Sequence, residues 1–459
     1  MSILNNLGLR VNNLRKRMQA TPALYAEPGL YHYLHQDEDE QSRLHLRIDA
    51  DGSGFLLVNA NRVVHLNPTA VQMTYLALEK AAPAEAARSL QAKFQVSKQQ
   101  ALRDYVQIHE QIEQLVRPDG ACPIHDLDLE INAPFSARPS APYRMDLALT
   151  YRCNNECLHC YNARARTFPE LSTTEWKKVL DQLWKLGIPH IVFTGGEPTL
   201  RADLAELIAY AQNNGQITGI NTNGRRISDP AYLQTLVDAG LDHVQITLES
   251  HIPEIHDAMV ACKGAWKQTV AGVRNAVHSK LYMMTNTTML EANSPYMAQT
   301  LDFLAELGVP TVGLNALIYA GHGASVGTGL RESELPALLE LARHKTELHG
   351  QRLIWYTPTQ YCNFDPMQLE LGVKGCTAAL YNMCIEPDGS VLPCQSYYHS
   401  LGNFLKNDWE SIWNHELCIS LRERKYVQEK CQGCLLLPEC GGGCPLASEF
   451  LQADSIHPV

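Results

Sequence analysis

The spacing of apolar positions changes rhythm three times along the chain. In "RLHLRID", residues 43–49, Leu44, Leu46 and Ile48 recur at period two; the turn-rich "DADGSG" follows, then the apolar runs "FLLV" and "RVVHL". This pattern predicts three short strands. Asn67 then caps a helix whose first residue is Pro68, and Ser97 with Gln100 makes a capping box for another, with Leu102, Val106, Ile112 and Val116 on one face. Three strands followed by helices predict a winged-helix-like module over 43–120, after an N-terminal segment 1–42. "INAPFSARPSAPYR" holds three prolines and little periodicity, which places a linker at 121–144.

From Asp146 onward the rhythm alternates. The strand-like runs "MDLALT", "HIVFTGG", "TGINTNG", "HVQITLES", "LYMMTNTTM" and "TVGLNALIY" are separated by amphipathic stretches such as "TTEWKKVLDQLWKLG", opened by Ser172 and Glu175. Six strand–helix units in series predict an α/β fold, a partial (β/α)6 barrel over 145–345, with functional loops at the carboxyl ends of its strands. Beyond about residue 346 the alternation stops and cysteine and glycine density rises. A separate, loop-rich C-terminal domain, 346–459, is expected, stabilised by metal more than by an apolar core.

Composition narrows the class. At 459 residues and 51.2 kDa the chain exceeds what one hydrophobic core serves. A net charge of −11 argues against nucleic acid, whose phosphates need a concentrated basic surface. The acidic run Asp37–Glu40 reads as a solvated loop. There is no apolar stretch of spanning length, and "MSILNNLGLRVNNLRKRM" lacks a secretory core, so no membrane contact and a cytoplasmic location are expected.

Fourteen cysteines in a reducing compartment point to metal, since disulfides rarely persist there. One group is Cys153, Cys157 and Cys160; a second is Cys376, Cys384, Cys394, Cys431, Cys434, Cys440 and Cys444. Zinc sites normally close with four ligands, often from two CxxC pairs, and "CNNECLHCY" offers neither. Three thiolates suit a [4Fe–4S] cluster with one iron left open.

This CxxxCxxC spacing, with His159 and Tyr161 about its last cysteine, resembles the radical SAM superfamily. The resemblance continues strand by strand. "TGGEP" looks like the family's GGEP motif, which implies that Gly195, Gly196, Glu197 and Pro198 serve the amino group of S-adenosylmethionine. Asn221 and Asn223 of "NTNG", with Thr247 and Glu249 of "ITLES", match places where relatives contact its ribose and carboxylate, and Tyr161 is expected beside the adenine. The implied chemistry is reductive cleavage of the sulfonium to a 5′-deoxyadenosyl radical, which removes hydrogen from an unactivated C–H bond.

"IEPDGSVLPC" reads as a hairpin with Asp388–Gly389 at its turn. "GCTAALYNMCIEPDGSVLPC", "LGNF" and "CQGCLLLPECGGGC" together resemble the SPASM extension of peptide-modifying radical SAM enzymes. That implies Cys376, Cys394 and Cys444 for a first auxiliary cluster, with Cys384 or Cys362 as a fourth ligand, and Cys431, Cys434 and Cys440 for a second. The last cysteine of the family pattern is missing here. Asp454 or His457, a leftover cysteine or an open iron remain as alternatives for its place, and one auxiliary cluster or two can assemble. Cys122, Cys262 and Cys418 read as ordinary buried thiols.

The N-terminal module, with "LNPTAVQMTYLALE" and "FQVSKQQALRDYVQ", resembles the PqqD-like element that captures a leader peptide by strand addition. Its last helix sets Lys98, Arg103 and Arg117 against Asp104, Glu110 and Glu113, so no basic face for DNA emerges. The resemblance as a whole implies a peptide maturase that takes a precursor peptide and an electron donor such as a flavodoxin or ferredoxin. The alternative within SPASM-type enzymes is a small-molecule or protein substrate, as in heme side-chain decarboxylation or sulfatase cysteine oxidation.

Overall fold

The computed structural model describes residues 25–36, 41–59, 62–116, 138–163 and 168–447. The run 37–40, Arg117, Cys122, most of the linker, Asp454 and His457 lie outside the described residues. The chain divides into two units, Met1–Ile131 and Asn132–Val459.

In the first unit an antiparallel sheet runs in the order β1 (Gly29–Gln36), β2 (Gln41–Ile48), β3 (Gly54–Val58) and β4 (Arg62–Leu66). The three strands expected from alternation are β2 to β4. Strand β1 falls in the segment expected to lie outside the module, and it pairs with β2 along its whole length. Helices α1 (Pro68–Leu78), α2 (Pro83–Lys93) and α3 (Lys98–Val116) follow. The Asn67 side chain accepts from the amides of Thr69 and Ala70 at 3.1 and 2.9 Å, satisfying donors that a helix start leaves open. Ser97 caps α3 through the Gln100 amide, but the Gln100 side chain turns to Asp104 and Arg103. The buried stripe of α3 is Ala101, Tyr105, Ile112 and Leu115, whereas Leu102 and Val106 are exposed. Ile112 is buried as expected, but in the first half of the helix the face is one position off, because the small Ala101 and amphipathic Tyr105, whose hydroxyl donates to Ala81 O at 2.7 Å, take the core positions of two aliphatic side chains.

The second unit is built on one nine-stranded sheet, ordered β11-β10-β9-β8-β7-β6-β5-β12-β13. The strands are β5 (Arg144–Thr150), β6 (His190–Gly195), β7 (Ile217–Thr222), β8 (His243–Thr247), β9 (Tyr282–Thr288), β10 (Thr311–Asn315), β11 (Arg352–Trp355), β12 (Asn382–Ile385) and β13 (Val391–Leu392). All neighbours pair in parallel except the β12–β13 hairpin. Helix α4 (Thr173–Lys185), with the expected Ser172–Glu175 capping box, buries Trp176, Val179, Leu180 and Leu183, a single stripe at helical spacing. Later crossovers repeat the plan, and their apolar faces join Leu147, Phe193, Ile220, Val244 and Val312 in one core.

Two features differ from expectation. The alternation continues past residue 346, since β11 adds a seventh parallel strand after the sixth. The cysteine-bearing part is also not separate: β12 pairs in parallel with β5, aligning Cys384 with Asp146. Asp388–Gly389 does turn the expected hairpin, with Gly389 at φ +87°, and Phe404 N closes "LGNF" onto Gly389 O at 2.8 Å.

Along the sheet, Ile220, Val244, Ile246, Met283 and Thr285 are fully buried. Residues of the opposite parity, among them Asn221, Gln245, Thr247, Met284, Asn286 and Asn315, are only partly covered. The incomplete barrel therefore keeps a polar inner face.

Candidate active site

The loop that leaves β5 carries Cys153, Cys157 and Cys160 at the carboxyl end of the sheet, and its root is set by glycine. At Gly195, φ is +129° and a Cβ would lie 2.1 Å from Thr150 O; at Gly196 it would lie 2.6 Å from Arg152 O. The sequence suggested that these glycines admit a ligand. In the structure they first admit the backbone of residues 150–152, which fixes where the cysteine loop starts. Asn162, just past the last cysteine, donates from Nδ2 to Gly195 O at 2.7 Å.

Glu197 is fully buried. Its Oε1 accepts from Thr199 N and Oγ1 and from Thr222 Oγ1, and its Oε2 from Asn223 N at 2.8 Å. Burial pushes this carboxyl above its usual range while the hydrogen bonds pull the other way. Oε1 is saturated; Oε2 retains acceptor capacity. Pro198 opens the short turn that Glu197 caps. Asn223 continues the connection, its Nδ2 donating to Asn154 Oδ1 at 2.6 Å.

Glu249 is equally buried and joins a second side of the loop. His159 Nε2 lies 2.9 Å from Glu249 Oε1, and Thr288 N donates to Oε2 at 2.9 Å. Burial alone would depress His159, and the Glu249 carboxylate more than offsets it, raising the imidazole above its ordinary value. Asn221 and Thr247 sit half-buried on the inner face. Tyr161 is half-buried beside the last cysteine; burial raises its phenol, and Cys160, Asp146 and Tyr398 add to the rise.

Sequence reasoning missed Arg225. Its Nη1 donates to Asn154 O and to Asn155 Oδ1 at 2.8 Å and lies 3.2 Å from Cys262 Sγ, while Nε reaches Gln268. One arginine thus clamps the cysteine loop from the end of β7, and its place directly after "NTNG" was the available signal. Cys262 is half-buried beneath it and Cys418 is fully buried.

The three thiols act on one another electrostatically. Burial pushes Cys153 up to about 11, with Glu197 and Cys160 adding to the shift. Cys157 is raised by burial, then by Cys160, Glu249 and Cys153. Thiols in this setting keep their protons unless a positive group compensates them, which is the requirement an iron–sulfur cluster meets. Two buried polar atoms at the loop, His159 Nδ1 and Asn162 Oδ1, also have no hydrogen-bonding partner.

In the C-terminal part Cys376, Cys394 and Cys444 form a second mutually repelling set; burial is the main cause of the rise, and Cys394 reaches about 12. Cys384 is fully buried among Ala148 and Leu392, with Asp146, Glu386 and Cys394 as neighbours. Cys431, Cys434 and Cys440 form a third set. Among the described residues, no three His, Cys, Asp or Glu side chains close on one point as a single metal ion needs.

Strand-end thiols at the root of a parallel sheet, backed by buried carboxylates, define a class of cluster-dependent enzyme. Residues 147–304 match the family model described as the radical SAM superfamily, and residues 376–435 match SPASM, an iron–sulfur cluster-binding domain. The chain is 30% identical over 338 residues to the Fe-coproporphyrin III synthase of Methanosarcina barkeri, 67% of this chain and 84% of that protein. It is 28% identical over 326 residues to the PqqA peptide cyclase of Rhizobium meliloti, 68% of this chain and 85% of that one. In fold it resembles Streptococcus suis SuiB bound to the precursor peptide SuiA, with a TM-score of 0.65 at 15% identity, covering 91% of this chain and 96% of that one. The chain belongs to the radical SAM superfamily. It is an enzyme that uses a [4Fe–4S] cluster with S-adenosylmethionine, and its SPASM domain implies auxiliary iron–sulfur clusters.

Proposed function

We propose that the protein is a radical SAM/SPASM maturase of a ribosomally made peptide, with the first unit acting as a PqqD-like leader-binding module. The peptide reading is carried by the surface of that unit. The sheet order leaves β4 as an edge strand, and Arg62 at its start donates to Leu115 O at the end of α3, a helix that exposes Leu102 and Val106. An open strand edge beside exposed apolar side chains on a helix is what strand addition by a leader peptide requires. The PqqA peptide cyclase relative and the SuiB fold fit the same reading.

In this reading Cys153, Cys157 and Cys160 hold the radical-generating cluster. Bound there with S-adenosylmethionine, it supplies the 5′-deoxyadenosyl radical that removes a hydrogen atom from the peptide. Glu197 Oε2 receives the amino group, Gly195, Gly196 and Pro198 shape its cradle, and Asn221, Asn223, Thr247, Glu249 and Tyr161 bound the rest of the cofactor. His159 and Arg225 position the cysteine loop. Cys376, Cys394, Cys444 and the buried Cys384 serve one auxiliary cluster, and Cys431, Cys434 and Cys440 another. A reducing cytoplasm and a small electron donor, flavodoxin or ferredoxin, suit this chemistry. No helix among the described residues is long and apolar enough to cross a membrane.

The test uses the full-length enzyme with peptides encoded beside its gene. One such peptide binds and gains a cross-link or loses hydrogen, and L102D/V106D weakens its binding at least ~10-fold, about 1.4 kcal/mol, without changing S-adenosylmethionine cleavage. A second reading is favoured by the Methanosarcina barkeri relative: decarboxylation of a tetrapyrrole side chain. Formation of iron-coproporphyrin III from an iron-tetrapyrrole precursor, with indifference to every peptide, would establish that reading instead.

A further inference from the structure

The family pattern ends its second auxiliary set with a cysteine downstream of Cys444, and residues 445–459 hold no thiol. The structure brings a different segment to that set. Tyr361 N donates to Cys440 Sγ at 3.3 Å, and the Cys440 thiol in turn lies 3.7 Å from Thr359 O. On the other side of the same loop, a Cβ at Gly443 would meet Gln360 Cγ at 2.9 Å and Gln360 N at 3.4 Å. Residues 359–361 therefore lie directly against "CGGGC", and the next residue is Cys362.

The position of Cys362 is held from both sides. Tyr361 and Phe364 are buried anchors, Asn363 N and Phe364 N both donate to Gln360 O in a tight turn, and Asn363 Nδ2 donates to Glu332 at 2.6 Å. Between these anchors the cysteine side chain is exposed.

We propose that Cys362 is the fourth thiolate of the second auxiliary site, completing Cys431, Cys434 and Cys440 from the opposite direction along the chain. The inference rests on the auxiliary-cluster reading above. Four thiolates close a [4Fe–4S] centre, so this cluster has no open iron and serves electron transfer, not substrate binding. Ligation releases the thiol proton and involves no redox change of the cysteine.

The experiment removes the radical-generating site first, with C153A/C157A/C160A in the full chain, and reconstitutes iron and sulfide anaerobically. About eight irons per chain are expected for two auxiliary clusters. C362A, added to that background, is expected either to lose about four of them or to convert one cluster to a three-iron form with its own electron paramagnetic resonance signal. C431A should match it, and C362A/C431A should lose no more than the four irons of that one cluster. The spectrum of the Cys376, Cys394 and Cys444 cluster persists throughout and reports that the fold is intact; C362S, nearly isosteric, gives a shifted signal. Unchanged iron and spectrum in C362A, with loss in C431A, would overturn the assignment of Cys362 alone. Unchanged iron in both variants would overturn the second cluster itself, and this proposal with it.

Discussion

The loop at 153–160 and the loops at 431–444 both present thiols, yet they are supported by opposite means. Around the first, polar side chains from three strand ends converge: Glu197 and Asn223 on one side, Arg225 from above, and Glu249 through His159 on the other. Both carboxylates are fully buried. Around the second, backbone shape does most of the work. Gly441, Gly442 and Gly443 all sit at positive φ, Tyr426 donates to Gly441 O at 2.7 Å, and Leu435 is 94% exposed. The first loop is organised by the protein before any cluster arrives. The second has fewer such side-chain supports and is expected to gain order from what it binds.

The largest effect should separate the two by chemistry. C157A is expected to reduce 5′-deoxyadenosine formation to background, whereas C431A leaves cleavage of S-adenosylmethionine and abolishes completed peptide modification; chromatography of both products checks this. Iron removal should separate them by dynamics. Amides of 431–444 are expected to exchange at least ~10-fold faster after chelation, and those of 153–163 less than ~3-fold, in hydrogen-exchange mass spectrometry. Similar rates in both would erase the contrast.

Acid tests the strands beneath the first loop. His190 and His243 share a contact at 2.9 Å between their Nε2 atoms, and burial, helped by Arg144, holds His243 down to about 4 against an ordinary 6.5. The folded state therefore binds fewer protons than the unfolded chain in that window. Its contribution is complete above pH 6.5 and declines as pH falls toward 4, by on the order of 2–3 kcal/mol. His243→Asn should flatten that acid limb in denaturant titrations. Glu197→Gln places an amide opposite the Asn223 amide and should cost about 2 kcal/mol, with weaker S-adenosylmethionine binding read by calorimetry. Gly442→Ala is the gentlest: a left-handed φ of +81° and a Cβ 2.6 Å from Val427 Cγ1 cost about 1–2 kcal/mol, read as lower auxiliary iron with the first cluster intact.

Much of this contrast was legible in the sequence. Cysteine spacing, "TGGEP" and the strand–helix alternation are local signals, and each lies where the structure needs it. The supports were harder to see because they join residues far apart in the chain: Arg225 meets Asn154, and Glu249 meets His159. Strand β1 was hidden for a different reason. "GLYHYLHQ" is an edge strand whose inward side chains, Tyr31 and Tyr33, are amphipathic and only partly buried against the core, while Leu34 is exposed, so no aliphatic alternation marks it. Strand β12 leads into the hairpin that the sequence shows, and only its parallel partner far upstream places it in the large sheet.

That pairing bears on how the protein could be shortened. Cutting the chain ahead of residue 382 to isolate the radical-generating core would strip the neighbour from β5, the strand from which the cysteine loop departs. The result would be a long, flat, apolar sheet margin open to a second molecule, the usual starting point of aggregation. A preparation lacking the C-terminal part would thus be expected to precipitate before it could reveal a slower reaction, and insolubility of such a fragment would say nothing about whether the auxiliary cysteines take part in chemistry.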